Sequence, residues 1–357
     1  MRFSEISIRQ AKSKIKAGEG LDCGSFKFFT SGVTQSKFLD TAQYQGPALI
    51  FGTGGSPSIH YCEEEFSTST DCVVYYPTDD SVDFYCAYQF FKSHMYLLEK
   101  GFRGAGLKHI KKEYIENIEI NWLNEEQRNV VTGVSKKIDN LIAKRKIQLD
   151  KLETLSSALF YEMFGDPVKN EKGWERKTLG SIGLCVSGGT PSRKNPAYFA
   201  GDINWYSAGE LNTMYLSESA EKITEFALKN SAAKLCNANS LFIGMYDTAA
   251  FKLGICKTKS TSNQACANIS LYNDNTIWLY FVLSTMRDEA LKHRHGARQK
   301  NLNLKFIKNF IVPIPPLPLQ QEFADKISRI EKQKELIRSS VEKLELLKNS
   351  LMQQYFA

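Results

Sequence analysis

The chain repeats itself at a distance of 192 residues, and this duplication constrains its fold more than any single motif does. Residues 114–120 lie over 306–312 with the apolar positions and an asparagine kept (Asn117 over Asn309), Gly104 over Gly296, and Tyr88 over Tyr280. Further on, Lys151, Leu152 and Glu153 meet Lys343, Leu344 and Glu345, and Leu155, Leu159 and Phe164 meet Leu347, Leu351 and Phe356. At an offset of 193, residues 67–69 meet 260–262 with Ser-Thr-Ser in both. The amino-terminal parts of the copies align poorly, and the first copy is shorter there. A period this long excludes a solenoid of short units and implies one module present twice, which suits a two-domain length of 357 residues.

Each copy divides into two zones. The first is rich in glycine, aromatics and β-branched residues, with strand-like runs such as residues 48–51 and 240–243 ending at glycine. The second has almost no glycine or proline and carries a heptad pattern. Its seam runs Ile138, Ile142, Arg145, Leu149, Leu152, Ser156, Leu159, Met163 in the first copy and Ile330, Lys334, Ile337, Val341, Leu344, Lys348, Leu351, Tyr355 in the second. The expected fold class is mixed α/β (α+β): two globular domains separated by two long antiparallel coiled-coil helices in a pseudo-two-fold internal repeat. The expected boundaries are a first domain at 1–122, a helix at 123–165, a second domain at 166–316 and a helix at 317–357. A helix of that length is roughly 60 Å long at 1.5 Å per residue and needs a partner along its length, for which the other copy is the obvious candidate. The polar seam residues weaken that pairing, and either docking onto another protein or ordinary seam irregularity accounts for them. Residues 313–319, with four prolines, are expected to be extended rather than helical, delivering the chain into the second helix.

Charge is focused rather than spread. The net charge is +7, yet residues 100–112 carry +5 and residues 292–308 carry +6 with no acid in either, leaving the remainder at −4. Two such runs at matching positions imply polyanion contacts. No apolar run approaches the ~18 residues of a membrane span, and the first twenty residues lack the apolar core of a secretory signal, so no membrane is expected and the cytoplasm is the expected location. Eight cysteines without a Cys-x-x-Cys pair are expected to be isolated thiols, and the spacing of His60, Cys62 and Cys72 is a poor match to a structural zinc site, so no metal is expected. Catalytic signatures are missing. Residues 195–198 depart from the Asn-Pro-Pro-Tyr/Phe loop of amino-methyltransferases at the third position, and residues 52–57 lack the Gly-Lys-Ser/Thr ending of a phosphate loop.

The polar glycine-rich loops suit contact with a nucleic acid. Gly188, Gly189, Thr190, Ser192, Arg193 and Lys194 put hydroxyls, expected free backbone amides and two cations in one turn. Thr53, Gly54, Gly55 and Ser56 resemble that loop in the first copy. Around the basic runs, Arg294, Arg298, Gln299, Lys300 and Asn301 combine cations with side chains that bond guanine and adenine edges, and Arg103, Lys108 and His109 are their counterparts in the first copy. For any one of them, phosphate contact or plain solvation competes with base reading.

The order of domain, long helix, domain, long helix resembles the specificity subunit of Type I restriction-modification systems over essentially the full chain. Residues 173–175 (Gly-Trp-Glu), 179–182, 187–192 and 313–317 before Gln320-Gln321-Glu322 carry the resemblance, with 28–32 and 52–56 in the first copy. It implies a subunit that is not itself a catalyst and holds no cofactor. Two target-recognition domains would each read one half of a split, asymmetric site in double-stranded DNA, the helices setting the spacing. The implied partners are two adenine-N6 methyltransferase subunits, which use S-adenosylmethionine, and restriction subunits that add cleavage driven by ATP with Mg. The first copy departs from the pattern, lacking both the Pro-Pro element and a clear counterpart of Gly173-Trp174-Glu175. The residues alone leave two competitors: a coiled-coil scaffold that binds another protein without reading DNA sequence, and an enzyme whose motifs have drifted.

Overall fold

The structure, a computed structural model, describes residues 1–294 and 301–356. In chain order its strands and helices are β1 (Ser7–Arg9), β2 (Phe26–Phe29), β3 (Lys37–Leu39), β4 (Tyr44–Gln45), β5 (Ala48–Gly52), β6 (Ser58–Cys62), β7 (Glu65–Thr68), β8 (Cys72–Pro77), α1 (Phe84–Ser93), α2 (Met95–Glu99), α3 (Lys112–Glu116) and α4 (Glu125–Phe164). There follow β9 (Glu175–Thr178), α5 (Leu179–Ile182), β10 (Gly183–Ser187), β11 (Ile203–Tyr206), β12 (Tyr215–Leu216), β13 (Glu221–Ile223), α6 (Glu225–Lys229), β14 (Leu241–Gly244), β15 (Leu253–Cys256), β16 (Ser260–Ser262) and β17 (Cys266–Leu271). The last elements are α7 (Thr276–Thr285), α8 (Arg287–Leu291), α9 (Leu304–Asn309), β18 (Ile311–Ile314) and α10 (Leu317–Phe356). Two compact units divide these, one holding Met1–Ile147 with Arg338–Ala357 and the other Gln148–Ile337, so the division falls within both long helices.

In the first unit an antiparallel sheet of order β1-β8-β5-β6 carries alternate side chains to two different cores. Leu49, Phe51, Val73 and Tyr75 face α1, where they meet Phe3, Phe84 and Phe91 together with Val131 of α4 and Met352 and Phe356 of α10. Ala48, Ile50, Cys72 and Val74 face the other way, against Phe29 and Phe66 of a second sheet ordered β3-β2-β7-β4. Because both faces are covered, the run Ala48–Gly52 is buried throughout, which is why it reads as a continuous apolar stretch.

The second unit repeats this plan. Its main sheet runs β10-β17-β14-β15-β12, with Leu241, Ile243, Ala267 and Ile269 toward α7 and Phe242, Cys256 and Cys266 toward the opposite core. A smaller sheet, β13-β11-β16, pairs β11 parallel to β16 as β2 pairs parallel to β7. The correspondence extends into the amino-terminal parts, where sequence alignment is poor. The Phe3 amide donates to the Ile118 carbonyl and the Leu179 amide to the Phe310 carbonyl, both at 2.9 Å, so Phe3 occupies the place of Leu179. The offset is therefore 176 there and 192 at Leu49 and Leu241, which both face the helix side of their sheets. The change falls between β11 and β14, where the second unit has β12 and α6 in extra chain.

Each long helix spans 40 residues. At the start of α4, Asn124 Oδ1 accepts from the Gln127 amide at 2.9 Å while Gln127 Oε1 accepts from the Asn124 amide at 3.2 Å. The extended proline segment is shorter than expected: β18 ends at Ile314 and α10 begins at Leu317, so Pro318 and Leu319 lie in its first turn, where a missing N–H leaves no intrahelical bond unmade. Every seam position named above is buried or half-buried. Within the first unit Lys348 Nζ binds Asp139 at 2.7 Å while Met352 and Phe356 share a core with Val131, so the paired stretches are antiparallel. Within the second unit Lys334 binds Glu153 while Phe323 packs on Phe160 and Phe164, again antiparallel. Lys334 and Lys348 are thus partnered across the helix pair; Lys334 also binds Glu331 at 2.6 Å on its own helix, and the Ser156 hydroxyl bonds the Leu152 carbonyl one turn back.

Candidate nucleic-acid interface

In the first unit the two separately expected segments form one surface. The loop leaving β5 carries Thr53, Gly54, Gly55 and Ser56, and the basic run folds into a narrow ribbon in which Arg103 and His109 exchange both backbone hydrogen bonds at 2.9 Å. These are clasped together, since the Ile110 amide donates to Thr53 at 3.1 Å and the Gly55 amide to Lys108 at 3.0 Å. Between them lies a cleft of about 300 Å³ lined by Gly55, Ser56, Pro57, Glu99, Phe102 and Lys108. Arg103, Lys108, His109 and Ser56 are exposed, and neither Arg103 nor Lys108 pairs with a carboxylate of a described residue. Thr53 is half-buried, its hydroxyl donating to the Asp71 carbonyl at 3.0 Å.

The loop expected to match it in the second unit has a different place and a different job. Gly188 and Gly189 are buried, and their amides already donate to Cys266 at 3.1 Å and Ser262 at 2.9 Å, so the expectation of free amides there is overturned. A Cβ on Gly188 would stand 2.2 Å from the Asn263 carbonyl oxygen, and one on Gly189 2.3 Å from the Ala232 carbonyl carbon; glycine is required there by close backbone packing. Arg193 is committed too. Its guanidinium holds Glu221 through two bonds of 2.5 and 2.7 Å and lies 4.2 Å over the Phe199 ring, and this pairing lowers the Glu221 carboxyl below its ordinary range. Thr190 donates to Gln264, whereas Ser192 and Lys194 are exposed.

The true counterpart of the first unit's loop is Met245–Ala249. The Leu302 amide donates to Met245 at 2.8 Å as the Ile110 amide does to Thr53, both pairs being 192 apart. Asn301 Oδ1 accepts from the Asp247 amide at 2.9 Å, and Tyr246, Asp247 and Thr248 are exposed. Glycine content drew attention to residues 187–194, while the repeat offset alone pointed to Tyr246 and Asp247. Within the second basic run Lys292 is held by Glu289 at 2.6 Å, which raises the lysine's pKa, and half-buried Arg294 bonds the Leu291 carbonyl. Arg298, Gln299 and Lys300 lie outside the described residues. The thiols of Cys62 and Cys72 bond the carbonyls of Glu64 and Phe29, and His60 Nε2 bonds that of Gly32, so each of the three is engaged by backbone. Among the described residues no group of three or more metal-ligating side chains occurs, and no helix is long and apolar enough to cross a membrane.

Comparison with known proteins agrees with this layout. The profile described as "Type I restriction modification DNA specificity domain" matches residues 2–151 and again 171–346. The specificity subunit of the Type I restriction enzyme MjaIX of Methanocaldococcus jannaschii is 27% identical over 268 residues, which is 69% of this chain and 62% of that protein. The EcoR124I/EcoR124II specificity subunit of Escherichia coli is 26% identical over 164 residues, 44% of this chain and 41% of its own length. The chain thus spans less than two thirds of these curated relatives. Among solved structures, the Type I restriction-modification S subunit from M. genitalium superposes with a TM-score of 0.69 at 14% identity, covering 100% of this chain and 95% of that one, which shows a shared fold. A chain from a type I R-M complex gives 0.56 at 15% identity, covering 100% and 96%. With both copies of the module matched by one profile, the chain belongs to the Type I restriction-modification DNA specificity family.

Proposed function

We propose that this chain is the non-catalytic DNA-recognition subunit of a Type I restriction-modification complex working in the cytoplasm, each globular domain reading one half of a bipartite, asymmetric site. The observation that carries the reading is the recurrence of one clasp in both units, Ile110 to Thr53 and Leu302 to Met245, each joining a strand-end loop to a basic run. In the first unit the DNA contacts come from Gly55, Ser56, Arg103, Lys108 and His109. In the second they come from Tyr246, Thr248, Lys194 and the run through Arg298, Gln299, Lys300 and Asn301. Gly188, Gly189 and Arg193 hold the second unit's loop in shape instead of touching DNA, because their polar groups are already used. The helices set the distance between half-sites and dock two adenine-N6 methyltransferase subunits. S-adenosylmethionine, ATP and Mg belong to those and to the restriction subunits.

The test is a salt titration of the full chain with its methyltransferase partner on duplex DNA. Each phosphate neutralised contributes about 0.9 to the slope of log K against log salt, so a slope steeper than about −4 is expected, with the specific site preferred over random DNA by about 10³ or more. Salt-insensitive binding, or equal affinity for every duplex, would sink the proposal.

A further inference from the structure

The ribbon formed by Arg103 and His109 ends in Gly104-Ala105-Gly106-Leu107, where three side chains are a methyl or nothing and the fourth is a leucine 77% exposed, the most exposed large apolar residue among those described. One exposed leucine is ordinary on a protein surface, but this one stands at the tip of a ribbon whose other tip residues offer almost no side chain to cover it. The turn is built to hold it there. Gly104 has a φ of +146°, and a Cβ at that position would stand 2.6 Å from the Leu107 carbonyl oxygen, so the tight turn that projects Leu107 depends on glycine. Gly55 on the adjoining loop and Gly106 beside it would each meet nothing within 4 Å of an added Cβ, so the ground around the leucine is low. Exposed Arg103 and Lys108 flank it.

We infer that Leu107 is a specificity-determining residue of the first unit, making apolar contact with a thymine methyl group in the major groove. The inference rests on the DNA-reading function proposed above. A two-stranded ribbon fits the roughly 12 Å major groove, where the thymine C5-methyl is the apolar mark that separates an A·T pair from the others. Cations on the ribbon's flanks meet the phosphates on either side, while a tip of such small residues lets one leucine reach the base edges. At the equivalent position the second copy has Gln299, a side chain that bonds adenine instead. The two halves would therefore be told apart partly by this exchange.

The experiment uses the full chain with its methyltransferase partner and duplexes of its own site, located by methylome sequencing, in which each thymine is replaced in turn by deoxyuridine. Loss of one buried methyl should weaken wild-type binding about fourfold at a single thymine. Leu107→Ala should weaken binding to the natural duplex by at least as much and show equal affinity for the thymine and deoxyuridine forms, while Leu107→Met keeps the discrimination. An unchanged thermal transition in Leu107→Ala will exclude a folding defect. Three results would overturn the inference: indifference of the wild type to every replacement, unchanged thymine sensitivity in Leu107→Ala, or a 2-aminopurine signal showing that the leucine wedges between base pairs. Failure of the wild type to prefer any duplex would instead bring down the functional reading itself.

Discussion

Lys334 occupies a seam position where a heptad pattern calls for an apolar side chain, and its side chain, 4% exposed, binds Glu153 and Glu331. From sequence alone a lysine there reads as a flaw in the helix pair. Its flanking carboxylates are what turn it into a contact. Removing one partner of a buried pair costs several kcal/mol, but Glu153 is 69% exposed and recovers water, so Lys334→Ala should cost about 2 kcal/mol, with Lys334→Met restoring part through packing. Thermal unfolding should register this as a fall of roughly 4–8 °C in the second unit's transition. His60 predicts a pH dependence in the first unit. Desolvation holds its pKa below the ordinary 6.5, outweighing the bond to the Gly32 carbonyl, with Lys92 adding to the depression. The folded state then prefers the neutral ring, so its contribution is present above pH 6.5 and is lost as pH falls through 6.5 toward and below the depressed value. His60→Gln should flatten that acid-side loss in denaturation midpoints measured from pH 7 to pH 5.

At the scale of elements, the helices were legible and the loops were not, for a physical reason. A seam buried along one stripe imposes its period on the sequence, so the seam positions are covered while neighbouring Leu155 and Leu347, equally apolar, stand 45% and 57% exposed. That difference is measurable. Phe160, 1% exposed and ringed by Phe164, Phe281 and Phe323, should cost about 3–5 kcal/mol as Phe160→Ala, whereas Leu155→Ala on the same helix should stay within about 0.5 kcal/mol by denaturant titration. Turns leave no such period. Glycine marks the loop at 53–56 and the loop at 187–194 alike, yet one glycine pair is clasped to a basic ribbon and the other is wedged under Asn263 and Ala232. Composition cannot tell these apart because both demand a missing side chain. The same holds for Arg193, whose cationic character suggested phosphate until Glu221, 28 residues away, took both arms of its guanidinium.

For the molecule as a whole, the duplication means that each unit closes its own sheets and cores, and this predicts that the second domain can be exchanged. Residues 173–315 begin and end on paired strands, Glu175 lying opposite Ile314 and Thr178 opposite Ile311, so a donor segment brings its closing ladder intact. What it must match is the helix side of the core, where Phe160, Phe164, Phe323, Ile327 and Ile330 pack against Leu241, Trp278 and Phe281, and where the Trp174 indole donates to the Phe164 carbonyl at 3.0 Å. A relative keeping apolar residues of similar size at those contacts and a tryptophan at 174 should therefore fold in place, while one that does not should fail before it binds anything. In the exchange that folds, one half of the methylated site should change to the donor's and the other should stay, because the basic ribbon around Leu107 belongs to the first unit and is untouched. Affinity for the original site should drop by about 10³ or more, since several mismatched base pairs each cost about 1–3 kcal/mol. Methylome sequencing of cells carrying the exchanged chain reads this directly; a change in both halves, or in neither, would mean that recognition is not divided between the two copies.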